Sequence, residues 1–388
     1  MTANSIFHKP GESFAFGLEA EFPLVNLSGA PQWHQELSFQ RLYDCLSAIP
    51  SGDWGTPGLK LEPPHKTTMP YVVEGYHLPN PEFEPIDLLP KGVEIRTPLA
   101  LDLKSCLTRF EVLYDRMQSA LRKTGLQATT VSHHPTGNQF SGPQNKRRHD
   151  FWQWAMEAMH TYGPDINVSL PLSLNQQINL ADLEAKSHYY GPALAAISLN
   201  SPFLEGKPWT IRGKQGKSIR LYRRSPIAPA VELHPDQGGR LEFKVFEMSP
   251  YLGDYECFFL LWLTLILDSS LQGRASRASY IYGMGEVAVD GLELPWVQDK
   301  IEQVLESAFR VLPNWGFDPA PLKALIPRVQ NKRHPADLLL AEYESSKSLE
   351  KTLLGNTLWR TEENAIEFRP RPYRSSFSAS DRSIAVTE

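Results

Sequence analysis

The chain has 388 residues and a formal charge of -5, with 41% hydrophobic and 21% charged residues. That balance supports a sizeable buried core and excludes wholesale disorder. The acidic sign argues against a nucleic-acid-binding protein, whose mark is a dominant basic patch. Cys45, Cys106 and Cys257 are too few and too scattered for a disulfide framework or a cysteine zinc site. Each lies in an apolar helical pattern that suits a buried reduced thiol. The opening MTANSIFHKPGES has no basic segment leading into an apolar run, so the expectation is a cytoplasmic protein without a secretory signal. The run from Phe258 to Leu267 is about half a membrane span and reads as a core helix.

In chain order, Phe14, Phe16, Leu18, Ala20, Phe22 and Leu24 occupy alternate positions, with Gly17, Glu19 and Glu21 between them. This period of two predicts a half-buried strand that aims both carboxylates from one face, about 7 Å apart. A helix is predicted near Gln35–Ile49, stopped by Pro50-Ser51-Gly52. Residues 62–90 hold seven prolines and five acidic residues, which predicts a long non-helical excursion of the kind that is functional or mobile. Val93-Glu94-Ile95-Arg96-Thr97-Pro98 reads as a second strand, with Glu94 and Arg96 on its polar side. An amphipathic helix at Asp102–Lys123 follows, capped by Gly125. Gln127–Ser132 reads as a third strand ending at His133-His134. A tryptophan-rich helix (Phe151–His160), an alternating strand (Ile166–Leu170) and a helix (Ala181–Ser198) come next.

Between Gly206 and Val231 stand seven basic residues and no acidic one. Arg240-Leu241-Glu242-Phe243-Lys244-Val245 repeats the alternation, with Arg240, Glu242 and Lys244 together. Helices are predicted at Asp254–Leu271, Val297–Leu312 and Ala336–Leu354. Ala365–Arg371 is one more strand with a Glu367/Arg369 face, and the tail from Ser375 is expected to be frayed. No linker stands out, so the expectation is a single catalytic domain over residues 1–388, flexible at 1–12 and 375–388.

Interleaved strands and helices suggest β-α-β units, but strands of parallel sheets are apolar on both faces. Here at least five strands carry one apolar and one charged face. The fold class is therefore α+β, a mainly antiparallel sheet with helices on one side only. The free face is expected to bear Glu19, Glu21, Glu94, Arg96, Asn167, Ser169, Arg240, Glu242, Lys244, Glu367 and Arg369. Two readings stay open for it. One is a solvated lattice of cross-strand ion pairs. The other is a cup for Mg²⁺ and a phosphorylated ligand, in which carboxylates hold the metal and cations meet phosphate oxygens. No P-loop or Rossmann glycine motif is present, so a nucleotide bound here would be held by side chains and metal.

Gly17-Leu18-Glu19-Ala20-Glu21-Phe22, Val93–Pro98, His134-Pro135, Ser198-Leu199-Asn200-Ser201-Pro202-Phe203-Leu204-Glu205-Gly206 and Arg240-Leu241-Glu242-Phe243-Lys244 together resemble the glutamate–cysteine ligases, in particular their bacterial carboxylate–amine ligase branch. The matches occur in family order over about residues 14–270. The resemblance implies a glutamine-synthetase-like funnel, a curved antiparallel sheet with ATP and Mg²⁺ (Mn²⁺ as an alternative) inside. It implies Glu19, Glu21, Glu94 and Glu242 as metal ligands, and Glu19, Glu21 and Arg220 as catalytic residues. Arg212, Arg220, Arg240 and Lys244 would meet ATP, while Arg96, His134 and Asn167 would meet an amino-acid substrate. The implied reaction phosphorylates a carboxylate, glutamate's by analogy, and lets an amine such as cysteine displace the phosphate. The partners are then small molecules, with neither nucleic acid nor membrane. A phosphotransferase, or a non-catalytic relative that binds an acidic ligand, would use the same face. Two positions depart from the family pattern: Lys244, where arginine is usual, and Asp165, where histidine or glutamine is usual.

Overall fold

The computed structural model describes residues 13–145, except 51, 53 and 57, and residues 152–360. Among these, the main sheet has six strands in the spatial order Val231–His234, Arg240–Phe243, Pro164–Ser169, Ala15–Phe22, Pro85–Arg96, Tyr71–Pro79. Every neighbouring pair is antiparallel. The opening strand lies in the middle, between Pro164–Ser169 and Pro85–Arg96. Phe16, Leu18, Ala20 and Phe22 are buried on one side together with Val93, Ile95, Ile166, Val168, Leu241 and Phe243. Helices Leu103–Lys123 and Leu252–Leu267 cover that side. The rings of Phe16 and Phe259 meet edge-on at 5.9 Å, those of Phe22 and Tyr114 lie tilted at 5.2 Å, and Phe243 stacks on Trp262 at 4.4 Å. Each such side chain contributes about 1.5–3 kcal/mol on burial, which fixes the register and so the face shown by the intervening glutamates.

Several sequence expectations are corrected. Residues 62–90 are largely strand: Tyr71–Pro79 and Pro85–Arg96 form a long hairpin at the edge of the sheet. Its prolines sit where the ladder needs no amide, at the hairpin end (Pro79 opposite Pro85) and beside a bulge (Pro90 opposite Gly75). The third predicted strand shortens to Leu126–Ala128 and joins a separate small sheet. The helix predicted over 336–354 breaks in two, Pro335–Ser346 and Leu349–Leu354, because Lys347 is left-handed and Ser348 caps a new start. A helix at Arg277–Asp290 was not foreseen. Residues 365–371, with Glu367 and Arg369, lie outside the described residues. No helix among the described residues is long and apolar enough to cross a membrane.

Candidate active site

The polar face is built by cross-strand register. Glu19 lies opposite Arg96 on one side and Asp165 on the other. Glu21 faces Glu94, Glu242 faces both Asn167 and Glu232, and Arg240 faces His234. A cleft of about 70 Å³ opens over Gly17, Glu19, Arg96, Asn167 and Arg240, walled by Gly58 and Leu59.

At the centre, Arg240 Nη1 donates to Glu19 Oε1 (3.3 Å), Glu242 Oε2 (3.1 Å) and Asn167 Oδ1. The Lys244 ammonium lies between Asp165 Oδ2 (2.9 Å) and Glu242 Oε1, with Glu232 Oε2 at 3.7 Å. His234 Nε2 is 2.6 Å from Glu242 Oε2. One oxygen each from Glu19, Asp165 and Glu242 lies within 4.8 Å of the others, and Glu232, His234 and Glu242 form a second such trio. Burial pushes Asp165 well above the usual carboxylate range against the pull of Lys244, and the nearby Glu242 charge adds to the push. Burial would raise Glu242 too, but Lys244 and then His234 hold it well below that range. An all-oxygen trio of this kind suits a hard divalent ion. The second trio includes an imidazole, which suits Mn²⁺ better than Mg²⁺.

At the other end of the face, Glu94 Oε2 accepts from Arg96 Nε (2.9 Å) and Nη2 (2.8 Å). Glu21 Oε2 accepts from Lys91 Nζ at 3.0 Å. Burial raises both glutamates above their usual range, with Arg96 and Lys91 respectively pulling them back. Arg220 reaches the Glu21 end from helix Ile219–Tyr222 and donates to Phe246 O at 2.9 Å. Gly163 makes room for it, since a Cβ there would stand 2.3 Å from the guanidinium.

Of the four glutamates expected to hold metal, the structure gathers Glu19 and Glu242 in one ligand group and adds Asp165. Glu21 and Glu94 share the face but fall outside both trios. Arg240, Lys244, Arg96 and Asn167 stand at the centre. Arg212 does not: it is exposed at the turn of a small hairpin whose Lys214 pairs with Asp290. His134 is buried beside Trp33, its Nδ1 accepting from Gly137 N–H (2.8 Å) and its Nε2 3.4 Å from Gln32 O. Burial lowers it to about 3, so it is neutral. Several cations of the basic stretch 206–231 have local partners. Lys217 pairs with Asp337, Arg223 holds Asn138, and Arg224 caps Pro229 O. Sequence reasoning missed Lys91, Glu232 and His234. The last two were legible as a strand entering a Gly238-Gly239 turn before Arg240-Leu241-Glu242.

The sequence model of the family described as "Glutamate-cysteine ligase family 2(GCS2)" matches residues 15–212, and no curated protein matches in sequence. Among solved structures, the chain is similar to a bifunctional glutathione synthetase from Pasteurella multocida, at 15% identity and TM-score 0.60, covering 89% of this chain and 52% of that one. The chain thus spans about half the length of that relative. It is similar to a glutamate–cysteine ligase from Francisella tularensis in complex with AMP, at 11% identity, TM-score 0.58, and 90% and 88% coverage. It is also similar to the complex of prokaryotic ubiquitin-like protein Pup and its ligase PafA, at 12% identity, TM-score 0.53, and 89% and 72% coverage. At these identities the likenesses show a shared fold.

Proposed function

The chain belongs to glutamate-cysteine ligase family 2, and we propose that it is an ATP- and Mg²⁺-dependent carboxylate–amine ligase. On this reading it joins the γ-carboxylate of glutamate to an amine, with cysteine the first candidate, through an acyl phosphate. The observation that carries the reading is the convergence of Glu19, Asp165 and Glu242 within 4.8 Å on a face that also holds Arg96, Arg240 and Lys244. Glu19, Asp165 and Glu242 would hold the metal, with Glu232 and His234 beside them. Mg²⁺ there would neutralise ATP oxygens and the charge that develops on the transferred phosphoryl group.

The remaining work belongs to this chain's cations and amides. Arg240 and Lys244 would meet phosphate oxygens beside the carboxylates that would hold the metal. Arg220 supplies charge at the Glu21 end. Arg96 and Asn167, at the cleft, orient the amino-acid carboxylate, for which the guanidinium fork is suited. Positioning and fixed charge are most of what phosphoryl transfer asks of a protein.

The test is phosphate release from ATP with Mg²⁺, glutamate and a panel of amines, alongside Glu242→Gln and Glu19→Gln. Amine-dependent phosphate release with stoichiometric amide, lost in both variants, is expected. ADP formed without amide would make the protein a phosphotransferase instead.

A further inference from the structure

Lys91 lies outside every alternation in the sequence, and the structure gives the reason. Glu74 pairs with Gly92 and Gly75 with Pro90, so Lys91 is the extra residue of a bulge. The bulge turns its side chain to the polar face, where it is buried at 4% exposure. Its ammonium has three donors, and all three are used: Glu21 Oε2 at 3.0 Å, Ala158 O at 3.1 Å and Thr161 O at 2.8 Å. Tyr162 grips the same residue twice, its hydroxyl donating to Lys91 O (2.7 Å) and its ring 5.2 Å from the ammonium.

This environment differs from that of Lys244. Lys244 Nζ bonds only carboxylates, which a metal ion could take over. Two of the three acceptors around Lys91 are backbone carbonyls, fixed by the turn 158–161 and independent of any ligand. Glu94 also has a cation on it, Arg96 placing Nε and Nη2 on Oε2.

We propose that Lys91 is a built-in cation in place of a metal ion at the Glu21 end of the site, so that divalent ions bind only at the Glu242 end. Glu21 and Lys91 act as positioning residues: the neutralised pair holds the 158–161 turn, and with it Gly163 beside Arg220, without an ion. The inference rests on the ligase reading for the Glu242 end, but the Lys91 end is judged separately.

The test counts Mn²⁺ bound by the full chain at pH 8, from the electron paramagnetic resonance signal of the free ion. Glu21→Gln should leave the wild-type count unchanged, whereas Glu242→Gln should lower it. Lys91→Met should bind one more Mn²⁺ per chain than wild type, and Lys91→Met/Glu21→Gln should return to the wild-type count. Loss of an equivalent in Glu21→Gln, or no gain in a folded Lys91→Met, overturns the proposal. If Lys91→Met does not fold, Glu21→Gln decides. Failure of the ligase reading has a different signature: wild-type Mn²⁺ binding that ignores Glu242→Gln, with the Lys91→Met gain still read against its double variant.

Discussion

Glu247 is a fully buried carboxylate just past the Arg240–Phe243 strand, and its replacement should uncouple two parts of the site. It accepts from the Asn200 amide, from Ser201 Oγ at 2.8 Å and from Ser218 Oγ at 2.5 Å. Ser218 is the N-cap of the helix that carries Arg220, bonding Leu221 N–H at 2.9 Å. Burial raises the Glu247 carboxyl, while Arg220 and the three donors pull it back. Glu247→Ala removes the acceptor from all three donors. The two serine hydroxyls lie 3.1 Å apart and can pair with each other, leaving the Asn200 amide and one hydroxyl unsatisfied. At about 1–3 kcal/mol per buried orphan, the loss is roughly 2–6 kcal/mol. Glu247→Gln keeps one acceptor oxygen and should lose about 1–3 kcal/mol. Urea unfolding at pH 7 reads both, and phosphate release by the folded Gln variant reads the displacement of Arg220. A loss under about 1 kcal/mol for the alanine variant, with phosphate release intact in the Gln variant, would refute the idea that Glu247 ties Asn200-Ser201 to Arg220.

The remaining predictions concern charge. Asp254 and Arg328 form a buried pair at 2.7 and 2.9 Å that binds helix Leu325–Gln330 to the core. Arg328→Met should cost about 3–5 kcal/mol because it strands a carboxylate, and Asp254→Asn in the same chain should restore most of it; urea midpoints of the single and double variants check this. Burial lowers His134 to about 3 and His160 to about 4. Both bind protons more readily unfolded, so stability is full above about 6.5 and is lost as pH falls toward 4, by up to about 1.4 kcal/mol per pH unit per group. Urea unfolding at pH 7 and pH 5 should show the drop, smaller in His160→Gln; equal drops in both proteins would sink the assignment. Glu242→Gln should lower kcat for amine-dependent phosphate release about a hundredfold or more, and an unchanged kcat in steady-state assays would remove Glu242 from the chemistry.

The central sheet was legible because its strands obey a strict period of two, and burial of Phe16, Leu18, Ala20 and Phe22 leaves Glu19 and Glu21 no other face. The long hairpin was not, because prolines at its end and beside its bulge imitate a loop when the pairing is unseen. The same bulge hid Lys91: a residue added to a ladder breaks the period that sequence reasoning depends on. Likewise, a charge-rich stretch such as 206–231 gives no sign of which cations are spent on local partners. Lys214 and Lys217 are paired with Asp290 and Asp337, while Arg220 turns toward the Glu21 end.

Asp165 and Lys244 stood out separately as departures from the family pattern, one adding a negative charge and the other replacing a forked cation with a point charge. In the structure they are one feature, an ion pair of 2.9 Å between neighbouring strands. An ammonium fits between Asp165 and Glu242, whereas a bidentate guanidinium would favour one carboxylate over the other. The two departures therefore meet in one contact, and they add Asp165 to the oxygen donors available to a metal.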